Sequence, residues 1–119
     1  MAGLVIERKD IGKITVLRLD GEVDLAEVPA LRQRFDDLID TNRLWIVLDM
    51  EETSYIGSSG LGLLLTVHNR VKEGNGEIKL AAPTQLARDA MHFFGLIPVL
   101  EVHDSASAAI SAFAEELRS

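Results

Sequence analysis

Residues 45–62 read WIVLDMEETSYIGSSGLG, and this segment predicts a strand, a turn, a glycine-rich loop and the start of a helix. The apolar run 45–48 is typical of a central strand that is covered on both faces. The loop at 57–60 leads into a helix that we expect from about Ser59 to Glu73, since the glycines at 74 and 76 would end it. A buried strand that feeds a helix through a tight loop indicates an α/β fold.

Strands and helices alternate along the rest of the chain. Upstream, residues 4–8 and 14–19 predict a hairpin, and apolar residues spaced three and four apart from Val28 to Ile39 predict a helix. Downstream we expect a strand at 78–81, a helix from Thr84 to Gly95, a strand at 99–102 and a helix that begins at Ser105 or Ser107. This order predicts one α/β domain, residues 1–119, with a mixed, largely parallel sheet of about five strands and four helices.

Composition and charge exclude several classes of protein. The 119 residues carry 19 acidic and 12 basic side chains, a net charge of −7, which disfavours a broad contact with nucleic acid or anionic lipid. No cysteine is present, which excludes disulfides, thiolate catalysis and Cys-ligated zinc. Neither a signal peptide nor a membrane-spanning run is recognisable, and we predict a cytoplasmic protein without cofactor or metal, a monomer or weak dimer.

The loop at residues 57–60 is where chemistry would be expected, and several interpretations compete. Nucleotide binding is disfavoured, because the loop lacks the Lys-Ser/Thr of a P-loop and its glycines do not follow the dinucleotide pattern. Neither Ser58 nor Ser59 fits the Gly-x-Ser-x-Gly elbow of a nucleophilic serine, so we do not expect an enzyme. Two interpretations stay open: Ser58 is a phosphorylation site at a helix N-terminus, or it is only the helix N-cap.

Three motifs resemble the STAS domain family, and most closely its bacterial anti-sigma factor antagonists. The first is Ile46 to Asp49 followed by Tyr55-Ile56-Gly57-Ser58-Ser59-Gly60-Leu61-Gly62. The others are Leu19-Asp20-Gly21-Glu22-Val23-Asp24 and Phe94-Gly95-Leu96. Together with a length that fits one such domain, they extend the resemblance along nearly the whole chain.

The resemblance implies a protein that is switched by its partners. In such proteins a serine-protein kinase, which is also the anti-sigma factor, phosphorylates the first serine of the loop, which is Ser58 here. The unphosphorylated antagonist binds the anti-sigma factor, and a PP2C-type phosphatase restores this state after phosphorylation. The acidic residue after the second strand, which corresponds to Asp24, helps to contact the kinase. The residues that we expect at this docking surface are Gly21, Glu22, Asp24, Gly57, Ser58, Ser59, Gly60 and Leu61.

Gly57 departs from the family pattern, which usually has Asp before the two serines. Loss of that carboxylate bears on whether a kinase recognises the loop. The alternative function is therefore a STAS scaffold that is not phosphorylated, a subunit of a signalling or lipid-transport assembly. A small-ligand sensor that binds at the glycine loop is a third option.

The remaining chemistry-bearing residues are interpreted as structural. The three histidines, at 68, 92 and 103, have no metal-like spacing. Met91 and Phe94 fit the inner stripe of their helix, whereas Phe93 with Leu96 could form an exposed apolar patch for docking.

Overall fold

The computed structural model describes residues 3–97 and 99–118, which form a mixed sheet with helices on both of its faces. The strands are β1 (Leu4–Ile11), β2 (Ile14–Val23), β3 (Trp45–Asp49), β4 (Thr53–Ile56), β5 (Glu77–Ala81) and β6 (Glu101–His103). The helices are α1 (Val28–Asp40), α2 (Ser58–Glu73), α3 (Gln85–Phe93) and α4 (Ala106–Arg118), and a 3-10 turn at Leu25–Glu27 precedes α1. The predicted α/β fold with four helices is confirmed.

The sheet has the order β1-β2-β3-β5-β6, in which only β1 and β2 pair antiparallel among the described strands. The sixth strand, β4, pairs parallel with the carboxyl end of β2, beyond the point where β3 stops. The sheet therefore has six strands among the described residues, one more than the five or so that the sequence predicts. The sequence does not predict a strand at residues 53–56, because the segment is short and half of its residues are polar.

Two apolar cores hold the sheet between its helices. On one face, α1, α2 and α3 contribute Phe35, Leu64 and Met91 to a cluster with the strands. On the other face, α4 is the one described helix that contributes to the core, and its Phe113 joins Val47 of β3 in that cluster. The spacing of three and four residues that predicts each helix places these side chains on its buried stripe.

Two expectations near the chain's end are wrong. The last strand was expected at residues 99–102 but covers Glu101–His103, and Val99 lies in a turn with its side chain 48% exposed. The inner stripe of α3 was expected to include Phe94, which is 54% exposed, whereas Leu96 is buried in the core. The reason is that α3 ends at Phe93, and the chain turns back at Gly95 with a positive φ of 74°.

Candidate functional site

The strand β4 brings together the two segments that the sequence singles out. Val23 at the end of β2 lies opposite Ile56 at the end of β4, and the Gly57 N–H donates to the Val23 carbonyl over 2.9 Å. Because the carboxyl ends of parallel strands lie at the same edge, Asp24 and the 57–60 loop become neighbours.

Ser58 is the first residue of α2, a helix of 16 residues. Gly57 is the N-cap residue, so the interpretation that Ser58 itself caps the helix is not what the structure has. Among the described residues no side chain caps the start of this helix, and Ser58 is exposed while Ser59 is half-buried. The unpaired N–H groups and the positive end of the helix dipole therefore stand beside an exposed hydroxyl, a favourable place for a phosphate.

Asp24 lies directly beside the loop. Its carboxylate accepts a hydrogen bond from the Leu25 N–H over 2.8 Å and caps the 3-10 turn before α1. The same oxygen, Oδ1, lies 3.5 Å from the place where a Cβ on residue 57 would stand, and the Tyr55 hydroxyl lies 3.3 Å from that place. Asp24 therefore lies next to position 57, where the family usually has an Asp.

The two glycines that bracket the serines differ in what they require. Gly57 has φ −87° and ψ 175°, which any residue adopts, so the backbone does not demand glycine there. At Gly60 a Cβ would stand 2.8 Å from Val23 Cγ1 and 3.0 Å from Ile56 Cγ1. Gly60 therefore lets the first turn of α2 pack onto the ends of β2 and β4.

The other predicted site residues divide into exposed and structural ones. Glu22 is exposed and lies opposite Tyr55, just after a register shift between β2 and β4. Gly21 has φ +124°, and a Cβ there would lie 2.0 Å from the Gly3 carbonyl oxygen, so it serves the strand pairing. Leu61 is only 2% exposed and belongs to the core.

Exposed apolar side chains border the site, among them Phe93, for which the sequence predicts exposure. Leu25 is 70% exposed and follows Asp24, while Tyr55 is 44% exposed and borders the Gly57 position. The helix α3 packs against β4, and at its end Phe93 is 83% exposed and stacks edge-to-face on Phe94 with ring centroids 5.3 Å apart. Exposure of large apolar side chains is typical of a protein-binding surface.

A second polar cluster lies on the opposite face of the sheet and was not predicted. The Lys79 ammonium is fully buried and contacts the carboxylates of Glu77, Glu101 and Glu116 at 3.1, 3.0 and 2.9 Å, and it lies 4.7 Å from the centre of the Phe113 ring. Burial by itself lowers the pKa of Lys79, but the hydrogen bonds to the three carboxylates outweigh it and leave the pKa raised. We call these four charged residues the Lys79 cluster.

Metal and membrane sites are not found in the part of the chain that the structure describes. Within residues 3–97 and 99–118, no group of three or more His, Asp or Glu side chains could hold a metal ion. None of the described helices is long and apolar enough to cross a membrane.

Comparison with known proteins finds several anti-sigma factor antagonists that are similar to this chain. The chain is 24% identical over 109 residues to the anti-sigma F factor antagonist of Paenibacillus polymyxa, covering 91% of this chain and 93% of that protein. It is 25% identical over 87 residues to the anti-sigma-F factor antagonist RsfB of Mycobacterium tuberculosis, covering 73% and 70%. The solved structure of the anti-sigma factor antagonist SpoIIAA in its unphosphorylated form superposes with a TM-score of 0.83 at 25% identity, covering 93% of this chain and 97% of that one.

These relatives are named as antagonists, that is, as binding proteins, which supports the prediction that the chain acts by binding and not by catalysis. The sequence profile of the STAS domain matches residues 5–109. The chain is therefore a member of the STAS domain family.

Proposed function

We propose that this chain is an anti-sigma factor antagonist, a cytoplasmic protein whose binding to an anti-sigma factor is switched off by phosphorylation of Ser58. The observation that carries the proposal is the exposed Ser58 at the uncapped start of a long helix, beside Asp24. The relatives named as antagonists, with identities near 25% over most of their length, support the same function.

The charge of the site explains how one phosphoryl group could act as a switch. Phosphorylation adds about −1.5 to −2 charges at neutral pH. The N-terminus of α2 stabilises that charge within the domain, so the fold tolerates the modification. A partner that approaches with an acidic or apolar contact would instead be repelled, and a penalty of about 3 kcal/mol lowers affinity about a hundredfold.

The docking surface combines the exposed polar residues of the site with its apolar border. Glu22, Asp24 and Ser58 supply charge and hydrogen-bonding groups, and Leu25 and Tyr55 supply apolar area. The other five residues of the site hold these groups in place rather than forming the outermost contacts: Gly21, Gly57, Ser59, Gly60 and Leu61.

Gly57 is compatible with this function. The carboxylate that the family usually has at this position would stand close to Asp24, because the Asp24 oxygen lies 3.5 Å from the missing Cβ. In this chain Asp24 provides a negative charge beside position 57, and we infer that the kinase recognises Asp24 in place of the usual pair. The partners are then an anti-sigma factor that is also a serine-protein kinase, and a PP2C-type phosphatase.

Capture from lysate of the source cells, with identification of the captured protein and measurement of its affinity, tests the proposal. Wild type and Ser58→Ala should bind an ATP-binding serine kinase equally, and Ser58→Asp should bind it at least tenfold more weakly. Ser107→Asp is the matched control, because Ser107 is also exposed in the first turn of a helix, α4. Equal binding of a partner that is not a kinase by all four proteins would contradict the proposal and favour the constitutive scaffold.

A further inference from the structure

The outer strand of the sheet, β1, has a free edge along its whole length in the described residues. The hairpin closes on the two turn residues 12–13, with Ile11 opposite Ile14. In such a hairpin the closing pair is hydrogen-bonded, so the odd-numbered residues of β1 bond to β2 and the even-numbered ones point their N–H and C=O groups outward. The Ile6 carbonyl agrees with this, because the Arg34 guanidinium reaches it from outside at 3.4 Å.

The side chains of β1 alternate between two faces, and the odd-numbered face is unusually open. Val5 is 60% exposed and Ile11 is 37% exposed, and the exposed Glu7 and Lys9 lie between them. The sequence of this face, Val-Glu-Lys-Ile, reads apolar, negative, positive, apolar. When two copies of this face run antiparallel, apolar residues can lie opposite apolar residues and each negative charge opposite a positive one.

We propose that β1 pairs antiparallel with β1 of a second copy of this chain, with the two-fold axis at Arg8. The even-numbered residues would then be the hydrogen-bonded pairs, Arg8 with Arg8 and Ile6 with Asp10. On the odd-numbered face, Val5 lies opposite Ile11 and Glu7 opposite Lys9, each pair twice. These are non-hydrogen-bonded pairs, in which cross-strand side chains lie closest.

The charges select this register over its neighbours. Because the backbone N–H and C=O groups of all even-numbered residues point outward, the same hydrogen-bonding pattern also forms when the two-fold axis moves by one residue in either direction. An axis at Glu7 places Glu7 against Glu7, and an axis at Lys9 places Lys9 against Lys9, and like charges directly opposite destabilise a sheet. On the odd-numbered face, where the charges would usually protect an edge strand, only the axis at Arg8 among these three registers pairs opposite signs.

The Arg8 charge at the axis is paired within each copy with Asp10, which Arg43 also contacts at 3.5 Å. Arg8 Nε and Nη2 each lie 3.0 Å from a carboxylate oxygen of Asp10. Arg34, an exposed side chain, would leave the Ile6 carbonyl when the second copy arrives. One strand of eight residues buries little area, so the dimer is expected to be weak.

Sedimentation equilibrium at increasing concentration tests the proposal on the whole chain. Wild type should form dimers below about 1 mM, and both Lys9→Glu and Glu7→Lys should weaken the dimer at least tenfold. The double variant E7K/K9E restores opposite charges in the same register and should recover dimerisation. A monomer at all concentrations, or a double variant as weak as the single ones, would overturn the proposal.

Disulfide trapping tests the register, and any cross-link is unambiguous because the chain has no cysteine of its own. The variant Val5→Cys/Ile11→Cys should oxidise to a covalent dimer, since opposed non-hydrogen-bonded residues have Cα atoms about 4.5 Å apart, within disulfide reach. The matched variant Val5→Cys/Lys9→Cys would cross-link with the axis at Glu7 or at Lys9, but not with the axis at Arg8. Preferential trapping of that variant, or trapping of neither, would overturn the register. The proposal rests on β1 alone, so its failure leaves the proposed function untouched.

Discussion

The Ser58 loop and the Lys79 cluster are both polar, yet they use their polar groups in opposite ways. The Lys79 ammonium is fully buried and bonded to three carboxylates of the same chain. Ser58 is exposed at a helix start that no side chain caps. A polar group that is satisfied inside the molecule contributes to the fold, whereas one left open is available to a partner. We therefore expect a change of charge at Ser58 to leave the fold intact and a change of charge at Lys79 to destabilise it.

Removing Lys79 should give the largest loss of stability. In Lys79→Ala we expect the free energy of unfolding to fall by about 3 kcal/mol, because the change opens a cavity and removes the ammonium that the three carboxylates share. Lys79→Met is the control, because it keeps the apolar stem and should lose less. Urea unfolding measures both, and a Lys79→Ala protein as stable as wild type would remove the contrast with Ser58.

The two glycines at the loop offer a sharper comparison within one segment. Gly60→Ala should lower the free energy of unfolding by about 1–2 kcal/mol, since its Cβ would stand 2.8 Å from Val23 Cγ1. Gly57→Ala should stay within about 1 kcal/mol of wild type, because the backbone there suits any residue, while its Cβ would stand 3.3 Å from the hydroxyl at the end of the exposed Tyr55 side chain. Thermal unfolding of the two variants side by side checks this, and equal losses would mean that the loop is rigid at both positions.

The Lys79 cluster should give stability a pH dependence that the Ser58 loop lacks. The hydrogen bond from Lys79 lowers the pKa of Glu101, so this contribution is present above the unfolded value near 4.3 and is lost as pH falls through the folded pKa. The pKa of Lys79 is raised, so its contribution is present below about 10.4 and is lost as pH rises through the folded pKa.

Urea unfolding across pH, compared between wild type and Lys79→Met, isolates this contribution. The difference in stability between the two proteins should be greatest between about pH 5 and pH 10 and should shrink on both sides. A difference that does not vary with pH would show that packing alone accounts for the role of Lys79. Burial lowers the pKa of His68, which weakens both proteins alike below about pH 6.5 and cancels in the comparison.

Substitutions at Ser58 should have the smallest effect on stability. Ser58→Ala should stay within about 0.5 kcal/mol of wild type, and Ser58→Asp should gain a few tenths through the dipole of α2. Chemical unfolding at low and high salt measures this, and the gain should fade at high salt. A loss above about 1 kcal/mol in Ser58→Ala would place Ser58 among the structural residues.

The sequence predicts the parts of the fold that local pattern controls. The strand β3 and the helix α2 follow from an apolar run and from the glycines that flank the helix. The sequence does not predict the strand β4, because the short segment around Ser54 and Tyr55 is polar enough to resemble a turn. It is nevertheless the element that joins Asp24 to the loop.

Features set by distant contacts could not be predicted. The burial of Lys79 depends on Glu101 and Glu116, which lie far along the chain and become neighbours only when β6 and α4 have packed. Likewise Phe94 fits the helical spacing of α3 but lies beyond its last residue, so its side chain points away from the core. The Ser58 motif is different, because its residues are contiguous and the family resemblance identifies them directly.

The central claim is that Ser58 is a switch outside the structural framework, and the most direct test is the mass of the intact protein after incubation with its purified kinase and Mg-ATP. We predict that wild type gains one phosphoryl group at Ser58, that Ser58→Ala gains none, and that the modified protein binds the kinase about a hundredfold more weakly while its unfolding curve is unchanged. Modification at another residue only, or full binding after modification of Ser58, would contradict the account.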